Sequence, residues 1–240
     1  MVSIRREFWT WHAVHLRDGM GAVNTVPDAV RRHHERARTE RDDLDEVLDA
    51  IVAGTLCTVL DGEPWVVPML FARDGDDVLL HGSTGAGALR HVAAGAPAAL
   101  SVLAVDGLVL AHSTFDSSAN YRSAVVRGPL TPVTGQARRT ALETFSERLV
   151  PGRTAEVRPM TSKEIGATLV MALPIREGCW TVKIRTGPPS PPQEPTRAWT
   201  GVVPVRSVAG PAVPAPWTPA GMPLPESVAR LVAGVQGGAA

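Results

Sequence analysis

The chain is poor in cysteine, in aromatic residues and in any excess of charge. Cys57 and Cys179 are the only cysteines in 240 residues. That excludes a disulfide-rich scaffold and points to a reducing compartment. Aromatic residues make up 5%, with Tyr121 the single tyrosine, and the tryptophans are too dispersed to form a base-stacking platform. Lys+Arg and Asp+Glu are both 24, so the basic excess of a polyanion-binding protein is missing. A local basic pocket for one small anion is still allowed. No apolar run reaches the roughly 20 residues of a membrane span. The longest, 92–105, is interrupted by Gly95 and Pro97 and followed by Asp106. Residues 1–20 lack the apolar core and cleavage site of a signal peptide. The expectation is a soluble cytoplasmic protein with no nucleic-acid or membrane partner.

Glycine (22) and proline (21) are plentiful, too frequent for a helical bundle. The length allows one or two domains and a sizeable core. Residues 1–38 read as an irregular extension with a basic cluster at Arg31, Arg32, Arg36 and Arg38, and Met20 is a second possible start. Leu44, Val47, Leu48 and Ile51 predict a helix over 40–53, with Thr39 as N-cap and Gly54 as stop. The period then changes to that of strands. Runs at 55–60, 65–71 and 78–81 are joined by Asp61-Gly62 and Asp74-Gly75, which is hairpin chemistry. A Gly-rich break at 82–87 precedes a short helix at 88–94. Strands are expected at 98–105, 108–115 and 121–127, with Asp106-Gly107 as a turn. An amphipathic helix over 135–149 follows. Thr161 with Glu164 is a capping-box pattern, and strands at 169–175 and 180–185 close the set. From Gly187 the chain is Pro-rich and extended, with 199–205 either a short strand or part of an arm. The domain at 39–186 is therefore expected to be mainly β, and 187–240 to be an arm packing on it or on a partner.

Three segments carry candidate chemistry. In 80–90 a strand ends, small residues follow, and a helix begins. Gly82, Ser83, Thr84 and Arg90 could cradle a phosphate with backbone N–H groups, hydroxyls and a charge. The alternative is a Gly-rich turn without a ligand. The segment has neither a P-loop ending nor a GxGxxG fingerprint. In 117–128, Tyr121 stands beside Arg122, a pair that lines an aromatic ligand or an anion, or a solvated strand edge. In 183–187, Lys183 and Arg185 alternate onto one strand face, as a ligand-binding pair or as a solvated one. The seven histidines are scattered, with no metal-ligand set. Cys57, inside an apolar run, reads as a core thiol.

The ordered set of these segments resembles the pyridoxamine 5′-phosphate oxidase-like flavin-binding split-barrel proteins. The set is Gly-Thr-Leu-Cys, Pro-Trp-Val-Val-Pro-Met-Leu-Phe, His-Gly-Ser-Thr with Leu-Arg, and Asn-Tyr-Arg-Ser-Ala-Val-Val-Arg-Gly. The branch that includes the 5-nitroimidazole-resistance reductases is most similar, and Lys-Ile-Arg-Thr-Gly-Pro-Pro near the end resembles it too. The resemblance implies a six-stranded antiparallel split β-barrel with flanking helices, built as a homodimer with FMN at the subunit interface. Carried over, His81, Gly82, Ser83, Thr84, Leu89 and Arg90 would face the phosphate and ribityl chain. Val67, Pro68 and Met69, with Val66, would lie along the ring. Tyr121, Arg122 and Ser123 would approach from the interface, and Lys183 and Arg185 would complete the pocket. His81 would be the catalytic residue.

The chain departs from the pattern in places. Arg36-Ala37-Arg38-Thr39 stands where relatives carry Arg-Gly-aromatic, and Arg90 replaces a phosphate-gripping lysine. The full substrate-binding set of pyridoxine-phosphate oxidases is missing. The expected function is FMN-dependent transfer of electrons from a nicotinamide donor, NADH or NADPH, to a small electron-poor acceptor. The alternatives are a haem-binding split barrel, with His81, His91 or His112 as axial ligand, and a flavin-binding module without turnover.

Overall fold

Alternation of apolar residues sets the strands, and helical spacing sets the few helices between them. The structure is a computed structural model and describes residues 33–234. The Met20 start and most of the 1–38 extension, including Arg31 and Arg32, lie outside the described residues. After a single 3-10 turn at His34–Arg36 come β1 (Ala37–Arg38) and α1 (Arg41–Ala50). Leu44, Val47 and Leu48 of α1 are buried on one side. Its N-cap is Glu40 rather than Thr39, whose hydroxyl instead donates to the Glu40 carboxylate.

A meander follows: β2 (Ala53–Leu60), β3 (Glu63–Asp74) and β4 (Asp77–Ser83). The two residues between β2 and β3, Asp61 and Gly62, both have positive φ, 52° and 84°. That is the type I′ hairpin geometry the Asp-Gly pair favours. Next come α2 (Gly87–Ala93), β5 (Ala98–Leu110), β6 (Ser118–Gly128), β7 (Thr131–Val133) and α3 (Gly135–Leu149). The chain continues through α4 (Arg153–Glu156), α5 (Ser162–Gly166), β8 (Thr168–Pro174), β9 (Trp180–Arg185), β10 (Gly201–Pro204) and α6 (Glu226–Gly234).

The strands join antiparallel in the order β1-β9-β6-β5-β2-β3-β4-β8-β7, with β10 added on β5. β3 carries the sheet around a corner: residues 63–70 pair with β2, and 71–74 pair with β4. Curling the sheet in this way encloses Leu56, Phe71, Leu80, Leu100, Val126 and Met171, with α1 and with Leu89 and Val92 of α2 packed in. Each such side chain contributes about 1.5–3 kcal/mol on burial. On the other side of β3, β4 and β8, helix α3 packs Ala141, Leu142 and Phe145 on Ala72, Leu79 and Val170. The fold is the expected antiparallel, mainly β split barrel with peripheral helices. Ten strands rather than the expected six are present among the described residues; setting aside the short β1, β7 and β10 leaves seven.

Two expected features differ. Asp106-Gly107 is not a turn. β5 runs through it with a bulge between Val105 and Gly107, and continues to pair with β6. A Cβ on Gly107 would meet Val202 Cγ1 at 2.9 Å and Val203 O at 3.2 Å. Glycine is needed there for the close approach of β10. In the Pro-rich stretch the short strand allowed at 199–205 forms as β10, and α6 is the element that the sequence did not signal. β10 pairs with β5, and α6 is held by the Glu156 carboxylate, which accepts from the Ser227 backbone N–H at 2.9 Å and from its hydroxyl.

Candidate functional site

The two sides of the larger part of the sheet are chemically different. Inward positions carry the core. Outward positions form a band whose residues adjoin across strands: Val66 and Pro68 on β3, Cys57 and Thr55 on β2, Ser101, Leu103 and Val105 on β5. Ser123 and Tyr121 on β6, then Lys183 and Arg185 on β9, continue the rows. Leu103 is 61% exposed and Val66 55%. An apolar band of this kind, bordered by polar groups, marks a binding surface. Cys57 belongs to it, so the core-thiol expectation is corrected. Its chain neighbour Leu56 is the buried residue, and strand alternation turns the half-buried Cys57 to the other side.

Alternation also divides the expected ring and interface residues. Pro68 lies in the outward row, while Val67 and Met69 share the inward row with buried Leu56 and Phe71. Tyr121 and Ser123 are outward. Arg122 shares its row with buried Ala124 and Val126, and its guanidinium is taken by Asp106. The Ser123 hydroxyl donates to the Lys183 carbonyl at 3.3 Å. The structure thus brings Pro68, Tyr121, Ser123, Lys183 and Arg185 onto one face.

The Gly-rich break is a tight strand-to-helix junction. The Thr84 N–H donates to the Ala167 carbonyl at 3.1 Å, and the Ala86 N–H to the Ser83 carbonyl at 2.9 Å. Two of its backbone donors are therefore already used. A Cβ on Gly82 would meet Leu89 Cδ1 at 2.8 Å, so Gly82 lets α2 pack close. Leu89 is 3% exposed and belongs to the core. Arg90 is the fourth of the seven residues of α2, its N–H closing the first turn on the Ala86 carbonyl at 3.0 Å, and is exposed. Ser83 and Thr84 are exposed at the β4 end.

His81 lies elsewhere. Val78 and Leu80 of β4 point into the barrel core and Leu79 toward α3. His81 shares the Leu79 side. Its ring stands edge-on to Phe145 of α3, with centroids 4.2 Å apart, and its Nδ1 is buried without a hydrogen-bond partner. Burial lowers the pKa of the imidazole. His81 is thus covered by α3, whereas Tyr121, Ser123 and Lys183 lie in the outward rows of β6 and β9.

His91 and His112, the other histidines considered for haem, also differ. The Nε2 of His91 lies 2.7 Å from the Val59 carbonyl. A carbonyl only accepts, so Nε2 carries the proton and Nδ1 keeps its lone pair. His91 packs near Trp65, with ring centroids 6.0 Å apart. His112 lies 3.5 Å from the Asp116 carboxylate and borders a cavity of about 980 Å³.

Of the residues lining this cavity, sequence reasoning named Arg185 as a pocket residue and His112 as a possible haem ligand. The other walls come from Arg36, the loop 111–118 and residues 190–196. Arg185 and Tyr121 are register partners, so the cavity opens beside the polar end of the outward face. The signals were a basic cluster and a Ser-rich loop, which have no fixed spacing and are brought together only by the fold. Among the described residues no group of three or more His, Cys, Asp or Glu could hold a metal ion, and no helix is long and apolar enough to cross a membrane.

Comparison with known proteins agrees with this architecture. The chain is similar to the structure of the FAD and heme binding protein from Mycobacterium smegmatis. Identity is 43%, the TM-score 0.80, and the match covers 82% of this chain and 97% of that one. It is also similar to the flavocytochrome Anf3 from Azotobacter vinelandii, at 32% identity and a TM-score of 0.78, over 84% of this chain and 94% of that one. A 5-nitroimidazole antibiotic resistance protein from Bacteroides thetaiotaomicron, at 18% identity and a TM-score of 0.52, shares the fold over 62% of this chain and 86% of that one. No curated protein matches the chain. The pyridoxamine 5′-phosphate oxidase family model matches residues 40–179, and the chain belongs to that family.

Proposed function

We propose that the chain is a flavin-binding redox protein that also carries haem and works as a homodimer. The observation that carries the flavin reading is the outward face itself. Val66, Pro68, Leu103 and Val105 offer an exposed apolar surface, and Tyr121, Ser123 and Lys183 stand at its polar end. A flat ring system with one polar edge fits such a surface. A bound flavin would supply two-electron chemistry between a nicotinamide donor and a small acceptor. The residues of the face would hold the ring and keep water from one side of it. A second copy laid on the same apolar band would cover the other side. FAD is favoured over FMN by the 43% identical relative, which is described as binding FAD and heme.

For haem the fit is at His91. Metal-bound histidines usually donate their second N–H to a carbonyl or carboxylate, and His91 does so to Val59. Val59 and Leu60 are exposed nearby. The chain has no Cys-x-x-Cys-His, so the porphyrin would be held without thioether bonds. His81, covered by Phe145, is not assigned a role at either group.

Absorption of the purified full-length protein tests this reading. Flavin bands and a Soret band that shifts on reduction by NADH or NADPH are expected. His91→Ala should remove the Soret band and keep the flavin, and His112→Ala should keep the Soret band. Flavin without any Soret band in protein reconstituted with haemin would overturn the haem reading. Absence of both chromophores after reconstitution would overturn the whole.

A further inference from the structure

The cavity beside Arg185 has a charge arrangement that the barrel does not need. Arg36 and Arg185 both line it. Arg185 makes no ion pair among the described residues; its guanidinium donates to the Asn120 side-chain oxygen. Burial and the nearby positive charge of Arg36 both lower its proton affinity. Arg36 has one distant partner, Glu35, at 3.4 Å. Two neighbouring cations facing a cavity are disfavoured until an anion joins them, and planar guanidinium groups match phosphate oxygens in pairs.

The remaining walls narrow the ligand class. Phe115 lines the cavity and is 94% exposed, so its ring is open to a stacking partner. Asp116 and Glu194 offer acceptors, and Ser117 offers a hydroxyl. Walls this polar suit a nucleotide and do not suit a porphyrin, which needs apolar ones. The volume, about 980 Å³, is that of a pocket for a ligand of this size.

We propose that this cavity holds the adenosine diphosphate half of a dinucleotide, with the pyrophosphate between Arg36 and Arg185. Phe115 stacks the adenine, and Asp116 or Glu194 accepts from the ribose hydroxyls. The dinucleotide is either the FAD of the outward face, reached past Tyr121, or the nicotinamide donor. Only this choice of dinucleotide rests on the flavin reading above.

The test is a set of titrations on full-length protein freed of flavin, with ADP, FAD, FMN and NADPH. ADP should bind the wild type. Arg36→Gln and Arg185→Gln should each weaken ADP at least tenfold, as loss of a charge-assisted phosphate contact does, and FMN less than twofold. A parallel loss for FAD identifies the flavin's own adenosine, and a loss for NADPH alone identifies the donor's. Arg185→Lys, which keeps the charge, should recover part of the ADP affinity and guards against misfolding. Wild type that does not bind ADP, or variants that bind it unchanged, would overturn the proposal. ADP bound in an arginine-dependent way, with FAD and FMN both unbound, would leave the cavity standing and sink the flavin reading instead.

Discussion

Arg122 holds Asp106 with two parallel hydrogen bonds, Nε to Oδ2 at 3.0 Å and Nη2 to Oδ1 at 2.9 Å. Asp106 sits at the bulge of β5, between Val105 and Gly107. The pair ties β6 to that bulge and keeps the guanidinium from any phosphate. Arg122→Leu should therefore cost stability, about 1 kcal/mol for a partly exposed bidentate pair, and leave flavin affinity within twofold. Urea unfolding and flavin titration of the same variant check both halves. A tenfold loss of flavin with unchanged stability would return Arg122 to the site.

Gly107 beside this pair has a second use. A side chain there runs into Val202 and the Val203 carbonyl, and a backbone atom cannot step aside as a flexible side chain does. Gly107→Ala should destabilise by about 1–3 kcal/mol, the usual range for overpacking, or release β10. Limited proteolysis reads the second outcome as faster cleavage between β9 and α6. A variant as stable and as protease-resistant as wild type would show that β10 does not hold the arm.

The position of His81 implies a pH dependence. Burial lowers its folded-state pKa below the ordinary 6.5. The folded form then stays neutral while the unfolded chain takes up a proton. Stability should fall as pH drops below about 6.5, and this contribution should level off below the depressed folded pKa. His81→Leu removes both the titration and the unpartnered Nδ1. Its Tm should exceed that of wild type at pH 5.5 by more than at pH 7.5. Equal differences at the two pH values would place the proton dependence elsewhere.

The exposed band should also carry the dimer. Leu103→Asp puts a charge where a second copy would press on the sheet, and burying an unpaired carboxylate is costly. Sedimentation should show a dimer for wild type at micromolar concentration and a monomer for the variant. A wild-type monomer with flavin fully bound would remove the second copy from the site.

Much of the fold was legible because it is written in local patterns. The helix at 135–149 and the strand at 180–185 have the expected bounds. The Thr161–Glu164 pair closes a capping box, with Thr161 N–H on the Glu164 carboxylate at 2.8 Å and Glu164 N–H on the Thr161 hydroxyl at 3.2 Å. Asp106-Gly107 misled because a glycine that admits a neighbouring strand looks, in sequence, like one that makes a turn. The site was legible in part. Strand alternation separates Pro68 from Val67 and Tyr121 from Arg122, but only register tells which side is the core. The cavity joins residues near 36, 115, 185 and 194, a set no local pattern connects.

The most direct test of the account is flavin occupancy in two variants measured side by side. Full-length Leu103→Asp and His81→Ala are purified, incubated with FAD, and desalted, and their flavin absorbance per chain is compared with wild type. The outward-face site predicts flavin retained in His81→Ala and lost from Leu103→Asp. Flavin lost from His81→Ala and retained in Leu103→Asp would place it under α3 and contradict the account.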